Sequence, residues 1–515
     1  MLGFHDSYTQ LPDMFYQYEQ PTAVRQAEWV LFNQELATEL NLPYHQGDLK
    51  TLQYLSGNQV PPQAKPFAQA YAGHQFGHFT TLGDGRAILL GEHELPDGKR
   101  VDIQLKGAGQ TAYSRRGDGR ATLSSMLREY IMSEALHALG IPTTRSLAVI
   151  STGETVQREE PLPGAVLTRV ASSHVRVGTF EYARAMGMSR PSNTQEDGNS
   201  DEGDLAIRAL ADYTLARHFS EFKTTDLESP YEYLLTSVME RQAKLVAQWM
   251  GVGFIHGVMN TDNMAISGET IDYGPCAMMD EYDPKTVFSF IDRQGRYAYQ
   301  NQPIIAQWNL ARFAETLLPL LHTDANTAID TATRHIQTFP DRYEYHWQQL
   351  LYQKLGFLGD KKHHTAYDKL SKEWLALLEK HQCDWTNSFH DLSVDAPNAE
   401  EDNATHKDEF AEFRASLLNT EAGINFRKEW LQVIENQQGG LAQAQEQMRA
   451  VNPVIIPRNH QVDEALRQAE RHQNLAPLHQ LLQVLKTPFQ NTPDKAPYQH
   501  LPTSSERIEH TFCGT

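Results

Sequence analysis

Asp262 and Asn263 stand side by side in HGVMNTDNMAI (256–266), and Asp272 follows in IDYGPC (271–276). Asn263 and Asp272 are oxygen donors on adjacent loops, a pairing suited to Mg2+ or Mn2+. Asp262 beside them can accept a proton from an incoming hydroxyl or orient it. Upstream, Lys106 closes the alternating run VDIQLK, and Glu129 lies in the next helical run, beside Met126. A strand lysine followed by a helix glutamate makes an ion pair able to hold a phosphate. Taken singly, each feature has an ordinary explanation: a turn capped by Asn and Asp, a surface lysine, a helix glutamate. Their coincidence in one chain is what argues for chemistry on a phosphate group.

Two glycine turns and two arginines extend this set. TLGDGRAILLGE (81–92) carries Gly83, Gly85 and Arg86 just before a strand, and RRGDGRATL (115–123) carries Asp118 and Gly119 at the start of a helix. Backbone amides at such turns attract anions, although GDG is also a common turn and neither segment is a Walker loop or a GxGxxG. Arg169 and Arg176, in LTRVASSHVRVG (167–178), add planar cations. His74 and His78 in AGHQFGH have i,i+4 spacing, but Gly77 weakens a helix there and no third ligand follows, so packing or hydrogen bonding is expected rather than a metal.

These groups need rigid supports. RAILLGEHELPDGKRVDIQLKGAG predicts a hairpin with LPDGKR as its turn. TLSSMLREYIMSEALHALGIP (122–142) reads as a helix ended by Gly140 and Pro142. SLAVIST and GAVLTRVA read as strands, and EYLLTSVMERQAKLVAQWMGVGF (232–254) as a long amphipathic helix feeding the Asp262 loop. Beyond the DYG triplet the chain reads as largely helical. The expected fold is α+β, a protein-kinase-like bilobal arrangement. It divides into an N-terminal extension (1–66), a β-rich lobe (67–185), a helical lobe with the metal site (186–330) and a C-terminal helical region with a Cys-containing tail (331–515). SRPSNTQEDGNSDEGD (189–204) and VDAPNAEEDNATHKDEF (394–410) lack apolar periodicity and read as exposed loops. In a kinase the catalytic aspartate follows the loop histidine by two residues; here that place is Val258. Three readings therefore stand side by side: a kinase with a displaced base, an enzyme acting on a different phosphate, and an inactive nucleotide-binding scaffold.

Bulk properties narrow the setting. With 65 acidic against 45 basic residues the net charge is −20, which disfavours a broad nucleic-acid face yet leaves room for a local basic pocket. No stretch approaches the ~18 consecutive apolar residues of a membrane span, and the N-terminal MLGFHDSYTQ has no signal or transit pattern. Three cysteines, Cys276, Cys383 and Cys513, form neither a disulfide framework nor a zinc spacing, so a reducing cytoplasm is expected.

Four long segments carry a resemblance: AYAGHQFGHFTTLGDGRAILLGE, DIQLKGAGQTAYSRRGDGRATLSSMLREYIMSEALHALGIPTTR, GFIHGVMNTDNMAISGETIDYGPCAMMDEYDP and NPVIIPRNHQVDEAL. Over nearly the whole chain the sequence resembles the selenoprotein O family, bacterial members included. The resemblance implies a kinase-like frame that transfers AMP from ATP to Ser, Thr or Tyr of a protein, with UMP transfer from UTP also linked to bacterial members. It implies nucleotide contacts from Gly83, Gly85, Arg86, Lys106, Asp118, Gly119, Arg169, Arg176 and Asp272. It further implies Glu129 anchoring Lys106, Asp262 as proton acceptor, and Mg2+ or Mn2+ on Asn263 and Asp272. Partners would be nucleotides and hydroxyl-bearing proteins, with no nucleic acid and no membrane, and the chain would act as a monomer in a bacterial cytoplasm. Some family members carry selenocysteine near the C-terminus. Cys513 lies near this chain's C-terminus, so a redox pair of Cys276 with Cys513 is a further expectation.

Overall fold

Neighbouring side chains on a strand face opposite sides, and the strands of this chain bury apolar residues on both. A computed structural model describes residues 4–189, 202–221, 229–359, 364–394, 417 and 420–512. Its strands are β1 (Phe4–His5), β2 (Tyr16–Tyr18), β3 (Glu28–Phe32), β4 (Phe67–Gln69), β5 (Ala72–Gln75), β6 (His78–Thr81), β7 (Ala87–Glu94), β8 (Arg100–Lys106), β9 (Ala121–Thr122), β10 (Arg145–Gln157) and β11 (Pro161–Ala171). Nine of them form one antiparallel sheet with the path β2-β4-β7-β8-β11-β10-β3, β1 joining β7 and β9 joining β11. The hairpin of β5 and β6 stands apart from it.

Two helices, α1 (Gln34–Glu39) and α2 (Leu49–Leu55), cover one face of the sheet, where Leu36, Leu52 and Leu55 meet Ile88, Leu90, Ile103 and Val166. On the other face α3 (Leu123–Ala138) lays Leu127, Ile131 and Leu136 against Leu89 and Leu167. Each such buried side chain contributes roughly 1.5–3 kcal/mol, so α3 is fixed across the strands that it serves. The hairpin read from the sequence is β7–β8. The predicted helix is α3, ended at Gly140 in the left-handed conformation (φ 75°). Residues 4–32, read as part of an extension, supply β1, β2 and β3 to the same sheet.

The helices α4 (Val177–Ser189), α5 (Glu202–His218), α6 (Pro230–Val252) and α7 (Gln302–Leu321) follow. The side chain of Ser229 caps α6, Pro230 opens it, and Gly253 closes it at φ 75°. The chain then forms β12 (Phe254–Ile255), which pairs antiparallel with β13 (Ala277–Met278). The loops of Asp262 and Asp272 are strung between these two strands. Further helices fill most of the chain from Ala325 to Leu485, and the one spanning Asn459–His472 clasps β13: Asn459 donates to Met278 O at 2.7 Å and accepts from Met278 N at 2.9 Å.

The loop reading of 189–204 is corrected at its ends. Ser189 closes α4, and α5 begins at Glu202, with Asp204 in its first turn meeting Arg184 at 2.8 Å. The remainder of that stretch, and nearly all of 394–410, lies outside the described residues. Among the described residues no helix is long and apolar enough to cross a membrane.

Candidate active site

Lys106 is the last residue of β8, between Ala87 of β7 and Leu167 of β11. Its Nζ donates to Glu129 Oε2 of α3 at 2.7 Å and to Asp272 Oδ1 at 2.8 Å. Arg169, on β11, donates through Nε to Glu129 Oε1 and through Nη2 to Asp272 Oδ1, both at 2.7 Å. Arg176 reaches Asp272 Oδ2 at 3.4 Å and the backbone oxygen of Asp262 at 3.0 Å. Three cations and two carboxylates from separate elements thus meet at one point. Burial would raise the carboxyl of Asp272, but Lys106, Arg169 and Arg176 outweigh it and hold the group well below the usual range. Burial is likewise outweighed at Glu129, by Arg169 and Lys106, and its carboxyl is also lowered.

Asp262 is the opposite case. It is 7 % exposed, and among the described residues no hydrogen-bond donor reaches its Oδ1. Burial dominates, Arg176 offsets it only in part, and the carboxyl is pushed up to about 7. Asn263 follows in the same short 3-10 turn and donates its amide to Val258 O at 2.9 Å, which leaves its Oδ1 for a cation. His256 joins the two loops through its contact with Ile271 O at 2.9 Å. Asp272 itself has φ 64°, a conformation that Asp tolerates better than most residues.

Lys106, Glu129, Arg169, Arg176, Asp262, Asn263 and Asp272 line one cleft of about 660 Å³, large enough for a nucleotide. Gly83, Gly85, Arg86, Asp118 and Gly119 line it as well. Gly119 has φ 68°, and a Cβ there would fall 2.1 Å from the carbonyl carbon of Gly109, so no other residue fits that turn. The donor set suits a hard divalent cation: the Asn263 amide oxygen and Asp272 Oδ2 are oxygen ligands that leave further positions for water and phosphate.

Asp84, Tyr71 and Arg158 are among the cleft residues that the sequence reading missed. Asp84, inside the GDGR turn, is 2 % exposed, accepts from Gln69 N and lies 3.8 Å from Arg176. Tyr71 lies under the Arg176 guanidinium at 4.3 Å. Arg158, in the turn just after β10, holds Asp118 at 2.9 Å. Asp84 was within reach, flanked by glycines already singled out; the others are contacts across the fold that no local pattern announces.

His74 is engaged in a polar contact. Its ring pairs with Glu181, and no group of three or more His, Cys, Asp or Glu suited to a metal occurs among the described residues. Cys276 does not line the cleft; it is buried, with its Sγ donating to Tyr273 O at 3.3 Å. Cys513 lies outside the described residues.

A lysine–glutamate pair, clustered arginines and an Asp–Asn–Asp oxygen set in one cleft describe an α+β protein equipped to hold a polyphosphate. The family model described as "Protein adenylyltransferase SelO" matches residues 1–486, and the chain belongs to that family. Relatives called "Protein nucleotidyltransferase YdiU" bear this out. The one from Bacillus cytotoxicus is 50 % identical over 520 residues, covering 100 % of this chain and 98 % of that protein. Those from Halalkalibacterium halodurans and Nitrosococcus oceani are each 49 % identical, again over 100 % of this chain and 98 % of the relative.

Proposed function

We propose that this protein transfers AMP from ATP to Ser, Thr or Tyr hydroxyls of proteins on a kinase-like, bilobal frame. The hydroxyl oxygen bonds to the α-phosphorus as its proton passes to Asp262. The bond from the α-phosphorus to its bridging oxygen breaks, and pyrophosphate leaves with the electron pair. The observation that carries this reading is the buried Asp262 carboxylate, raised to about 7 and without a donor on Oδ1, beside a three-cation cluster. A general base works best with a pKa near the operating pH. Lys106, Arg169 and Arg176 are more positive charge than one strand lysine supplies, and they suit a triphosphate held deep in the cleft. Mg2+ or Mn2+ on Asn263 and Asp272 would neutralise phosphate charge in the transition state. The family's description and the relatives' names support nucleotidyl rather than phosphoryl transfer.

The test is to incubate the protein with Mg2+ or Mn2+, a protein acceptor, and ATP labelled at either the α- or the γ-phosphate. Acceptor labelling from α alone is expected. Labelling from both or from γ alone defeats the proposal in favour of a kinase, and labelling from neither favours a scaffold. α-Labelled UTP in the same assay measures whether UMP is also transferred.

A further inference from the structure

We infer that His74 and Glu181 are positioning residues that hold Asp262 in its working pose. This rests on Asp262 being the proton acceptor proposed above. The hairpin of β5 and β6 is not part of the large sheet, and the edge of β5 that would be free is turned to the Asp262 loop instead. His74 N donates to Thr261 Oγ1 at 2.7 Å, and Phe76 N donates to Asn260 Oδ1 at 3.1 Å. From the other side α4 brings Glu181, whose side chain is 4 % exposed. Its Oε1 accepts from His74 Nδ1 and its Oε2 from Thr261 Oγ1, each at 2.5 Å.

One carboxylate therefore ties three elements together: the β5 strand, helix α4 and the turn Thr261–Asn263 that carries both Asp262 and Asn263. Fixing Thr261 fixes its two successors, because a single 3-10 turn leaves them little independent freedom. The strand being fastened also touches the group it serves. Gly73 lies so near that a Cβ there would fall 2.1 Å from Asp262 Oδ1. β5 is thus held as a wall against the reactive oxygen. The His74 ring is itself held edge-on by Phe79 and Trp308, each with centroids 5.4 Å away. Misplacing a reacting group by about 1 Å can lower a rate up to about 10²-fold.

The experiment compares His74→Ala, His74→Asn, Glu181→Gln and Gly73→Ala with the parent, using label transfer from α-labelled ATP, nucleotide-binding stoichiometry and Tm. His74→Ala and Glu181→Gln are expected to lower kcat between about tenfold and 10²-fold, with the KM for ATP within about twofold and one nucleotide bound per chain. His74→Asn, which can place an amide donor near the Nδ1 position, should recover most of the loss. Gly73→Ala, which crowds only the Asp262 carboxylate, should match His74→Ala. The inference is overturned if His74→Ala and Glu181→Gln keep kcat within threefold of the parent, or if His74→Asn is no better than His74→Ala. Should His74→Ala not fold, Glu181→Gln and Gly73→Ala decide by the same criteria. Asp262→Asn separates the two levels. If it retains transfer, the proposed role of Asp262 fails; if it is inactive while the four variants are normal, only the present inference fails.

Discussion

Two carboxylates of the cleft, Asp272 and Asp262, sit on successive loops and meet opposite fates. Asp272 is clasped by Lys106, Arg169 and Arg176 and is held ionised far below its usual range. Asp262 is more deeply buried, lacks a donor on Oδ1 and is lifted to about 7. Charge that is fully paired is scaffold: it fixes geometry and binds ligands, and its protonation state does not change near neutral pH. Charge left without partners in a low-dielectric site is poised to take up a proton.

The comparison breaks most completely at Asp272. Asp272→Ala should abolish transfer in the α-label assay. It should also cost about 3 kcal/mol of stability or more in denaturant unfolding, because it strips a counter-charge from three buried cations. Asp262→Asn should lower kcat about 10²–10⁴-fold, the usual span for a general base, yet raise Tm at pH 8. The sign follows from linkage. The folded carboxyl titrates near 7 and the unfolded one near 3.8, so between these values the native state holds the proton and the unfolded state does not. Stability therefore falls as pH rises through that window, and the amide removes the loss. The same group sets the rate profile: kcat/KM should fall about tenfold per pH unit below pH 7. The smallest effect belongs to the rim. Arg158→Ala frees Asp118, a half-exposed pair, and should raise the KM for ATP about threefold with kcat unchanged.

What could be read in the sequence follows the same divide between local and distant. Lys106 at a strand end, Glu129 on a helix and the Asp262–Asn263 and Asp272 loops are patterns of a few neighbouring residues, and the structure gathers all of them in one cleft. The β7–β8 hairpin, α3 and α6 were legible from alternation, helical spacing and Gly or Pro stops. Strands β1, β2 and β3 were not, since two to five residues carry too little periodicity and their pairing with β7, β4 and β10 is decided far along the chain. Glu181, Tyr71 and Arg158 escaped for the same reason. Each matters only through a partner brought close by the fold.

The strand order has a consequence for how the molecule is made. β8 cannot complete its pairing until β11 emerges from the ribosome, and Asp272 is synthesised about a hundred residues later still. Long-range antiparallel pairing of this kind is slow to form. Through that interval Lys106, Arg169 and Arg176 exist with Glu129 and Asp84 as counter-ions and without Asp272. The cleft thus reaches its final charge balance only once translation has passed the DYG loop.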